Sequence, residues 1–259
     1  MSAITGPGTL VLSLGRVWWM PPNGALVGPA IDRLMWWNLV ALGALFILAH
    51  VFLFAALIRR RKSVSMGAAS PLKWELAPLA VLAIIYAWMA ISAQRLWATI
   101  RYQGAAPQAL QVEVTGEQFQ WYFRYPGTDA TFGRTQPEMI SAPAGNPLGL
   151  DRTDPHGADD VVSSVLMLPV RREADLRIRS IDVIHGFFIP GMRLKQNAVP
   201  GMEMHIHFTP SVLGDYPILC SQVCGSGHAR MQAHLHVVSE NEYQAWLMSH
   251  APHHGEAGR

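Results

Sequence analysis

The chain has 259 residues, 50% of them hydrophobic, and a formal net charge of only +2 at pH 7. This hydrophobic share and the positive mean hydropathy are high for a purely soluble protein, so we expect part of the chain to lie in lipid. The small net charge, with the basic residues in one short cluster, argues against a nucleic-acid-binding protein.

Residues 1–31 are predicted to form an extracytoplasmic N-terminal segment. Their apolar stretch, residues 10–14, is short, and the first basic residue, Arg16, comes after it. A signal peptide has the opposite order. We therefore expect either that a leader has already been removed or that the first membrane helix itself directs insertion.

Two long apolar segments follow, and each is predicted to be a transmembrane helix. The uncharged run 35–58 would extend roughly 36 Å as a helix, enough to cross a bilayer, and it defines a first span over 32–59. The second run has tryptophans at both ends, as suits the lipid headgroup zone, and defines a span over 74–99. Two buried helices of a soluble core are the alternative, which uncharged runs of this length disfavour.

The loop between the two spans, residues 60–73, carries the basic cluster of the chain. Arg60, Arg61 and Lys62 follow directly on Arg59. Because cytoplasmic loops are enriched in basic residues, we predict that this loop is cytoplasmic and that both termini lie on the opposite side. In a bacterium this describes a multi-pass inner-membrane protein with its C-terminal domain in the periplasm.

Beyond residue 103 the chain changes to short alternating or β-branched segments separated by Gly and Pro turns. Such segments are typical of strands. With no long helical pattern among them, they predict an all-β sandwich or barrel of Greek-key type over 104–248. The stretch 125–160 is predicted to be a long surface loop, and residues 249–259 a flexible tail. The clearest strand candidates are 109–116, 163–170, 174–180, 202–208 and 231–238.

The two cysteines, Cys220 and Cys224, belong to one local feature, which is either a disulfide or a metal site. His228 and Met231 follow in the same segment, CSQVCGSGHARM. Thiolate, thioether and imidazole together select copper, whereas methionine is not among the usual ligands of zinc. A disulfide across so small a loop gains little stability and explains neither the histidine nor the methionine.

A second histidine ligand would have to come from an earlier strand, and His185 in the segment DVIHGFFIP is the candidate. A mononuclear blue-copper site needs only one cysteine beside two histidines and an axial methionine. The additional cysteine therefore favours two thiolates that bridge two metal ions, with one histidine for each. Met231 and a backbone carbonyl at Gln222 would complete the two coordination shells.

These residues resemble the cytochrome c oxidase subunit II family of the haem-copper oxidase superfamily, over nearly the whole chain. The family has an aromatic run, here GEQFQWYFRYP, and then three patterns in a fixed order. These are Asp-Val-x-His, Leu-Lys-x-x-Ala-x-Pro-Gly and Cys-x-x-x-Cys-x-x-x-His-x-x-Met. The matching positions are Asp182, Val183, His185, Leu194, Lys195, Ala198, Pro200, Gly201, Cys220, Cys224, His228 and Met231.

The resemblance implies a two-helix transmembrane hairpin followed by a cupredoxin-like Greek-key barrel with a dinuclear copper A centre. It also implies a function for that centre, which would accept single electrons from cytochrome c or another small carrier. The electrons would pass to haem in subunit I, where oxygen is reduced. Subunit I, subunit III and membrane lipid are the implied partners. The chain would be a non-catalytic electron-transfer subunit of an oxidoreductase.

Two carboxylates of the family pattern are missing from this chain. Gln222 stands where the family often has a Glu that binds magnesium at the interface with subunit I, and Asn197 stands where it has an Asp. The backbone carbonyl at position 222 can still bind copper, but an amide side chain is a weaker magnesium ligand than a carboxylate. We therefore expect the magnesium site to be altered or absent.

Two further roles are carried over from the family. The tryptophan through which the electron enters aligns with Phe119, and the second tryptophan of the run is Trp121, so either ring could lie between donor and copper. Simple packing under the copper loop is the alternative. The glutamate of the proton channel aligns with Pro71, so Glu75, about one helical turn further in, is the candidate for the channel entrance. A solvated glutamate is the alternative there.

Four other histidines come in pairs that alternate at the strand period, so each pair would share a sheet face. These are His205 with His207 and His234 with His236, and polar strand positions explain them more simply than a second metal site does. The acidic residues of the long loop could attract a basic donor, or they could be ordinary solvated positions. They are Asp129, Glu138, Asp151, Asp154, Asp159 and Asp160.

Other functions remain open from the sequence. The equivalent subunit of a copper A-containing nitric oxide reductase has the same architecture, and the missing carboxylates keep this function possible. A membrane-anchored copper chaperone is the other alternative, although it would not need the spacing of a dinuclear site. A quinol-oxidising relative would lack the copper ligands, so the intact pattern argues against it.

Overall fold

The computed structural model describes residues 20–59 and 72–251. It divides into two units, residues 29–103 and the remainder of the chain. The first unit contains two helices, α1 (Gly28–Arg59) and α2 (Leu72–Arg101). Both helices begin a few residues before the predicted spans, and the predicted cytoplasmic loop lies almost wholly outside the described residues. The predicted flexible tail also lies outside them beyond Ala251.

The two helices have the length and composition of membrane spans. Gly28–Arg59 and Leu76–Arg101 are each long and apolar enough to cross a bilayer, and none of their most apolar stretch is buried in protein. The core helix of a soluble protein would bury its apolar side chains, whereas these face outward all round. The alternative of two buried helices is therefore wrong.

The second unit is an all-β domain of two five-stranded sheets with a short C-terminal helix. Its sheets have the strand orders β3-β2-β1-β5-β8 and β4-β10-β9-β6-β7. β1 with β5 and β4 with β10 are parallel, and the other neighbours are antiparallel. These crossovers give the predicted cupredoxin-like Greek-key fold. The elements are β1 (Leu110–Glu117), β2 (Gln120–Tyr125), β3 (Val161–Ser163), β4 (Leu166–Pro169), β5 (Ala174–Ser180), β6 (His185–Ile189), β7 (Leu194–Ala198), β8 (Met204–Phe208), β9 (Gly214–Cys220), β10 (Gln232–Val238) and α3 (Glu240–His250).

The core lies between the two sheets because inward and outward side chains alternate along each strand. β5 shows this period clearly, with Ala174, Leu176 and Ile178 buried and the residues between them less so. Burial of such side chains in water-free packing contributes most of the stability of the domain. The largest fully buried aromatic side chains are Trp121, Tyr125, Tyr243, Phe123 and Phe187.

Residues 20–27, which precede α1, are part of the β domain, and the sequence does not predict this. Residues 1–19 of the predicted N-terminal segment lie outside the described residues. The backbone amide of Gly24 donates to the carbonyl of Gly191 at 2.8 Å, and that of Leu26 donates to Thr209 at 2.9 Å. Ala25 forms an isolated bridge with Pro210. These bonds fix the segment along the domain immediately before the first helix begins.

The stretch between β2 and β3 is a long loop with many exposed residues, as its composition predicts, but part of it is packed against the first sheet. Arg124 is buried and donates to Glu113 at 2.9 Å and to Asp160. The ring of Phe132 lies 5.1 Å from the guanidinium carbon of Arg124 and 5.2 Å from that of Arg177. A buried guanidinium needs carboxylate partners, so this ion-paired cluster holds the loop on the sheet.

Candidate metal centre

The metal-site residues meet at one end of the second sheet. His185 is the first residue of β6, and Cys220 is the last residue of β9. These strands are antiparallel neighbours, with Phe187 opposite Cys220, so the ends that carry the two ligands coincide. The chain then turns through a loop that carries Cys224 and His228 before β10 begins. The fold thus brings a distant histidine to the cysteine loop.

The sulfur and nitrogen atoms of the loop lie within contact of one another. The Sγ atom of Cys224 lies 3.8 Å from each of three atoms, the Sγ of Cys220, the Nδ1 of His228 and the Sδ of Met231. The Sγ of Cys220 lies 3.2 Å from the carbonyl oxygen of Gln222. A disulfide has an S–S distance of about 2.05 Å. The two cysteines are therefore free thiols, and the disulfide alternative is wrong for this structure.

His185 completes the cluster from the other side. A ring nitrogen of His185 and the two cysteine sulfurs all lie within 4.8 Å of one another. The Nε2 atom of His185 contacts Asp182 Oδ1 at 2.8 Å, while its buried Nδ1 atom has no hydrogen-bond partner. A buried imidazole nitrogen without a partner, opposite a nitrogen held by a carboxylate, is the usual arrangement of a histidine that binds metal. These residues therefore fit a metal ion.

Two groups of the site have shifted pKa values, the carboxyl group of Asp182 and the thiol of Cys224. Burial acts to raise the pKa of Asp182, but hydrogen bonds from His185 and from the backbone amides of Val183 and Gln118 leave that pKa below its usual value. Burial, together with the neighbouring Cys220, raises the pKa of Cys224 to about 11. A cation must therefore displace a thiol proton when it binds, so metal binding and proton release are coupled.

The two predicted aromatic residues have different surroundings. Trp121 is fully buried, with its ring edge-on to His185 at 5.8 Å and to Phe187 at 5.2 Å between centroids. Phe119 lies at the tip of the hairpin between β1 and β2 and is only half-buried. A Cβ atom on Gly227 would lie 2.3 Å from the ring of Phe119, so this ring covers the cysteine loop. Phe119 is the one of the two that a docked molecule can contact.

The predicted positions without a metal role have other partners. Asn197 pairs with Gly186 between β7 and β6. Within residues 20–59 and 72–251, the only cluster of three or more His, Cys, Asp or Glu groups arranged for a metal ion is the one already described. Glu75 lies in α2 with a side chain outside the described part of the structure, so its proton role stays a prediction.

Three of the four paired strand histidines contact carboxylates, whereas His234 stacks on His236 with 6.3 Å between ring centroids. His205 contacts Asp175 at 3.3 Å, and His207 contacts Glu173 at 2.7 Å. His236 contacts Asp215. These pairs are consistent with polar strand positions, as the sequence favours.

Three of the six acidic residues of the long loop are buried. Asp160 is fully buried beside Arg124, and Asp151 and Asp154 are buried and contact Arg134 at 3.5 and 3.3 Å. Carboxylates neutralised in this way supply little field at the surface. An acidic docking surface for a basic donor therefore cannot rest on these three residues.

The fold and the site together define a class, the cupredoxin-like metal proteins with a membrane anchor. Residues 110–238 match the family model of the cytochrome c oxidase subunit II periplasmic domain. The domain of residues 110–238 therefore belongs to the cytochrome c oxidase subunit II family.

Two relatives show the extent of the similarity. The alternative cytochrome c oxidase subunit 2 of Bradyrhizobium diazoefficiens is 40% identical over 153 residues, which are 58% of this chain and 54% of the relative. Cytochrome c oxidase subunit 2 of Cereibacter sphaeroides is 28% identical over 246 residues, 87% of this chain and 78% of the relative. The alignment thus spans about half the length of the Bradyrhizobium relative.

Among solved structures, the periplasmic domain of subunit II of cytochrome oxidase of Bradyrhizobium japonicum is 25% identical, with a TM-score of 0.42. It is matched over 56% of this chain and 96% of that domain.

Proposed function

We propose that this chain is the electron-accepting subunit of a terminal haem-copper oxidase and that its metal centre is a dinuclear copper site. The observation that carries the proposal is the convergence of two thiols, two imidazoles, a thioether and a carbonyl oxygen at one end of the barrel. Soft sulfur donors with imidazole favour copper that cycles through its +1 state. When bound, the two coppers supply a site that accepts one electron at a time and shares its charge.

Each residue of the site has a place in this proposal. The thiolates of Cys220 and Cys224 and the imidazoles of His185 and His228 would hold the two ions. Met231 and the carbonyl of Gln222 would complete the coordination. Met231 supplies a buried thioether, and Gln222 supplies a main-chain oxygen. Because the ligand at position 222 is a main-chain atom, Gln in place of the family's Glu does not affect this role.

The chain holds these ligands in place before any electron arrives. The backbone amide of Cys220 donates to the carbonyl of Met231 at 3.1 Å, and that of Ser221 donates to Gly186 at 2.8 Å. Asp182 orients the ring of His185. A site whose ligands are already fixed has little structure to rearrange when its charge changes, which favours fast electron transfer.

The buried ligands also favour electron transfer over copper delivery. Cys224, Met231 and His185 are 6%, 1% and 0% exposed. A chaperone has to release its copper to a partner, and ligands so enclosed oppose release. We therefore rank the chaperone function below the oxidase function.

We place the chain in a bacterial inner membrane, held by α1 and α2, with the β domain in the periplasm. Its partners would be the haem-containing subunit I and subunit III, and its donor would be cytochrome c or another small carrier. Phe119 is our candidate for the ring through which the electron enters. The missing carboxylates at Gln222 and Asn197 lead us to propose no magnesium ion at the subunit interface.

The test is electron uptake by the copper-loaded, full-length chain in detergent. Reduced cytochrome c, mixed in a stopped-flow spectrometer, should be oxidised with one electron accepted per chain. The Cys224→Ser variant, which removes one thiolate with little change in volume, should accept none. A copper-loaded wild type that takes no electron from cytochrome c would refute cytochrome c as its donor, and one that also takes none from a small reductant such as ascorbate would refute the electron-transfer function. Oxygen or nitric oxide as the final acceptor is then decided by a substrate assay of the complex with its catalytic subunit.

A further inference from the structure

The hairpin between β1 and β2 reaches over the cysteine loop. Gly116 pairs with Trp121, and Glu117 pairs with Gln120, so residues 118 and 119 alone connect the two strands. A two-residue connection is the tightest common hairpin turn, and it fixes where the tip points. Here the tip belongs to the first sheet, whereas the metal ligands belong to the second.

The tip residue Gln118 makes hydrogen bonds to both parts of the metal site. Its side-chain amide donates to the carbonyl oxygen of Cys224 at 2.6 Å. Its backbone amide donates to Asp182 Oδ2 at 2.7 Å. The other oxygen of Asp182 contacts the Nε2 atom of His185 at 2.8 Å. A continuous series of bonds therefore joins the loop ligand Cys224 to the strand ligand His185 through Gln118.

The cysteine loop is shaped to receive this tip. A Cβ atom on Gly225 would lie 2.8 Å from the side-chain nitrogen of Gln118 and 3.1 Å from the ring of Phe119. Gly225 also has φ of +141°, a conformation that other residues rarely adopt. A Cβ atom on Gly227 would meet the same ring at 2.3 Å. The two glycines allow the tip to contact the loop directly.

We infer that Gln118 is a positioning residue of the copper centre, which fixes the Cys224 loop relative to the Asp182–His185 pair. The inference rests on the proposed function, because it assigns a role toward the copper that we propose there. Gln118 touches no metal ligand atom; it acts through the main chain of Cys224 and through Asp182. Groups that orient metal ligands in this way commonly change metal affinity 10–100-fold when they are lost.

Two substitutions separate the hydrogen bond from simple packing. Gln118→Ala removes both the amide and its volume. Gln118→Glu keeps the length and shape, but its carboxylate cannot donate to the carbonyl of Cys224 at neutral pH. Gln120→Ala is the matched control, because Gln120 is an exposed glutamine two residues away in the same hairpin. Thermal melting of each full-length variant reports whether the fold is intact.

The experiment follows copper release from the loaded, full-length proteins to a chelator and records their electron paramagnetic resonance spectra. Both Gln118 variants should still bind copper but release it about 10-fold faster than wild type, with altered copper hyperfine splitting. Gln120→Ala should match wild type in both readouts. Wild-type behaviour of Gln118→Glu, or equal changes in Gln120→Ala, would overturn the positioning role. A wild type that binds no copper would instead refute the proposed function, and this inference with it.

Discussion

Replacement of Asp182 by asparagine tests how much the metal site depends on the support of His185. The carboxylate of Asp182 accepts from His185 at 2.8 Å, from the amide of Gln118 at 2.7 Å and from the amide of Val183 at 2.6 Å. Asparagine keeps one oxygen and presents an NH₂ group at the other position, so one of these donors loses its acceptor. It also removes the negative charge that makes the imidazole a better ligand.

We expect Asp182→Asn to weaken copper binding by about 10–100-fold, or about 1.4–2.7 kcal/mol. The assay is competition for copper between the full-length chain and chelators of graded affinity. Asp175→Asn is the matched control, since Asp175 contacts His205 at 3.3 Å in a pair outside the metal cluster. Unchanged affinity in Asp182→Asn, or an equal loss in Asp175→Asn, would refute the role of this support.

Two further predictions concern the stability of the β domain. Arg124→Met should lower the free energy of unfolding by about 3–5 kcal/mol in chemical denaturation, because it leaves buried Asp160 without its ion-pair partner and buried Glu113 with only Arg179 at 3.6 Å. Arg134→Ala removes a side chain that is 71% exposed, so it should lower the free energy of unfolding by no more than about 1 kcal/mol. Equal losses in the two variants would contradict the role of buried Arg124 in holding the loop on the sheet. In α3, hydrogen bonds from the backbone amide and then the hydroxyl of Ser239 lower the pKa of Glu242. The stability they contribute is therefore present above the ordinary pKa of 4.5 and lost as the pH falls through the lower folded value. The advantage of wild type over Glu242→Gln in melting temperature should shrink in that acid range, and a constant difference down to pH 3 would contradict this sign.

The membrane anchor and the ligand residues could be predicted because their signals are local in sequence. The helices show uncharged apolar runs, and four of the site residues lie between Cys220 and Met231. His185 could be proposed as a histidine from an earlier strand, but nothing in its own segment shows that β6 and β9 are neighbours. Parts of the chain that meet through the fold leave no such pattern in a single sequence.

The features that the sequence could not predict all depend on contacts between distant residues. Gln118 is 106 positions from Cys224, the loop residue to which it donates. The segment before α1 pairs with Pro210, far along the chain. The composition of the long loop predicts solvated aspartates, whereas Asp160 is fully buried beside Arg124. The alternation of apolar and polar residues along a strand predicts which side chains point inward, but not which residues they contact there.

The exposure of Phe119 and Trp121 is also a feature that the sequence alone does not predict. Phe119 and Trp121 lie two residues apart in one hairpin, and the sequence gives no reason to prefer either for contact with a donor. The turn at the hairpin tip places Phe119 at the surface, while strand pairing places Trp121 in the core. Only the three-dimensional structure separates them.

The most direct test of the central claim is metal analysis together with an electron paramagnetic resonance spectrum of the full-length chain loaded with copper. We predict two coppers per chain and a seven-line hyperfine pattern, since one unpaired electron would be shared equally by two ions. A single copper with a four-line pattern, or no bound copper, would contradict the dinuclear centre and the function built on it.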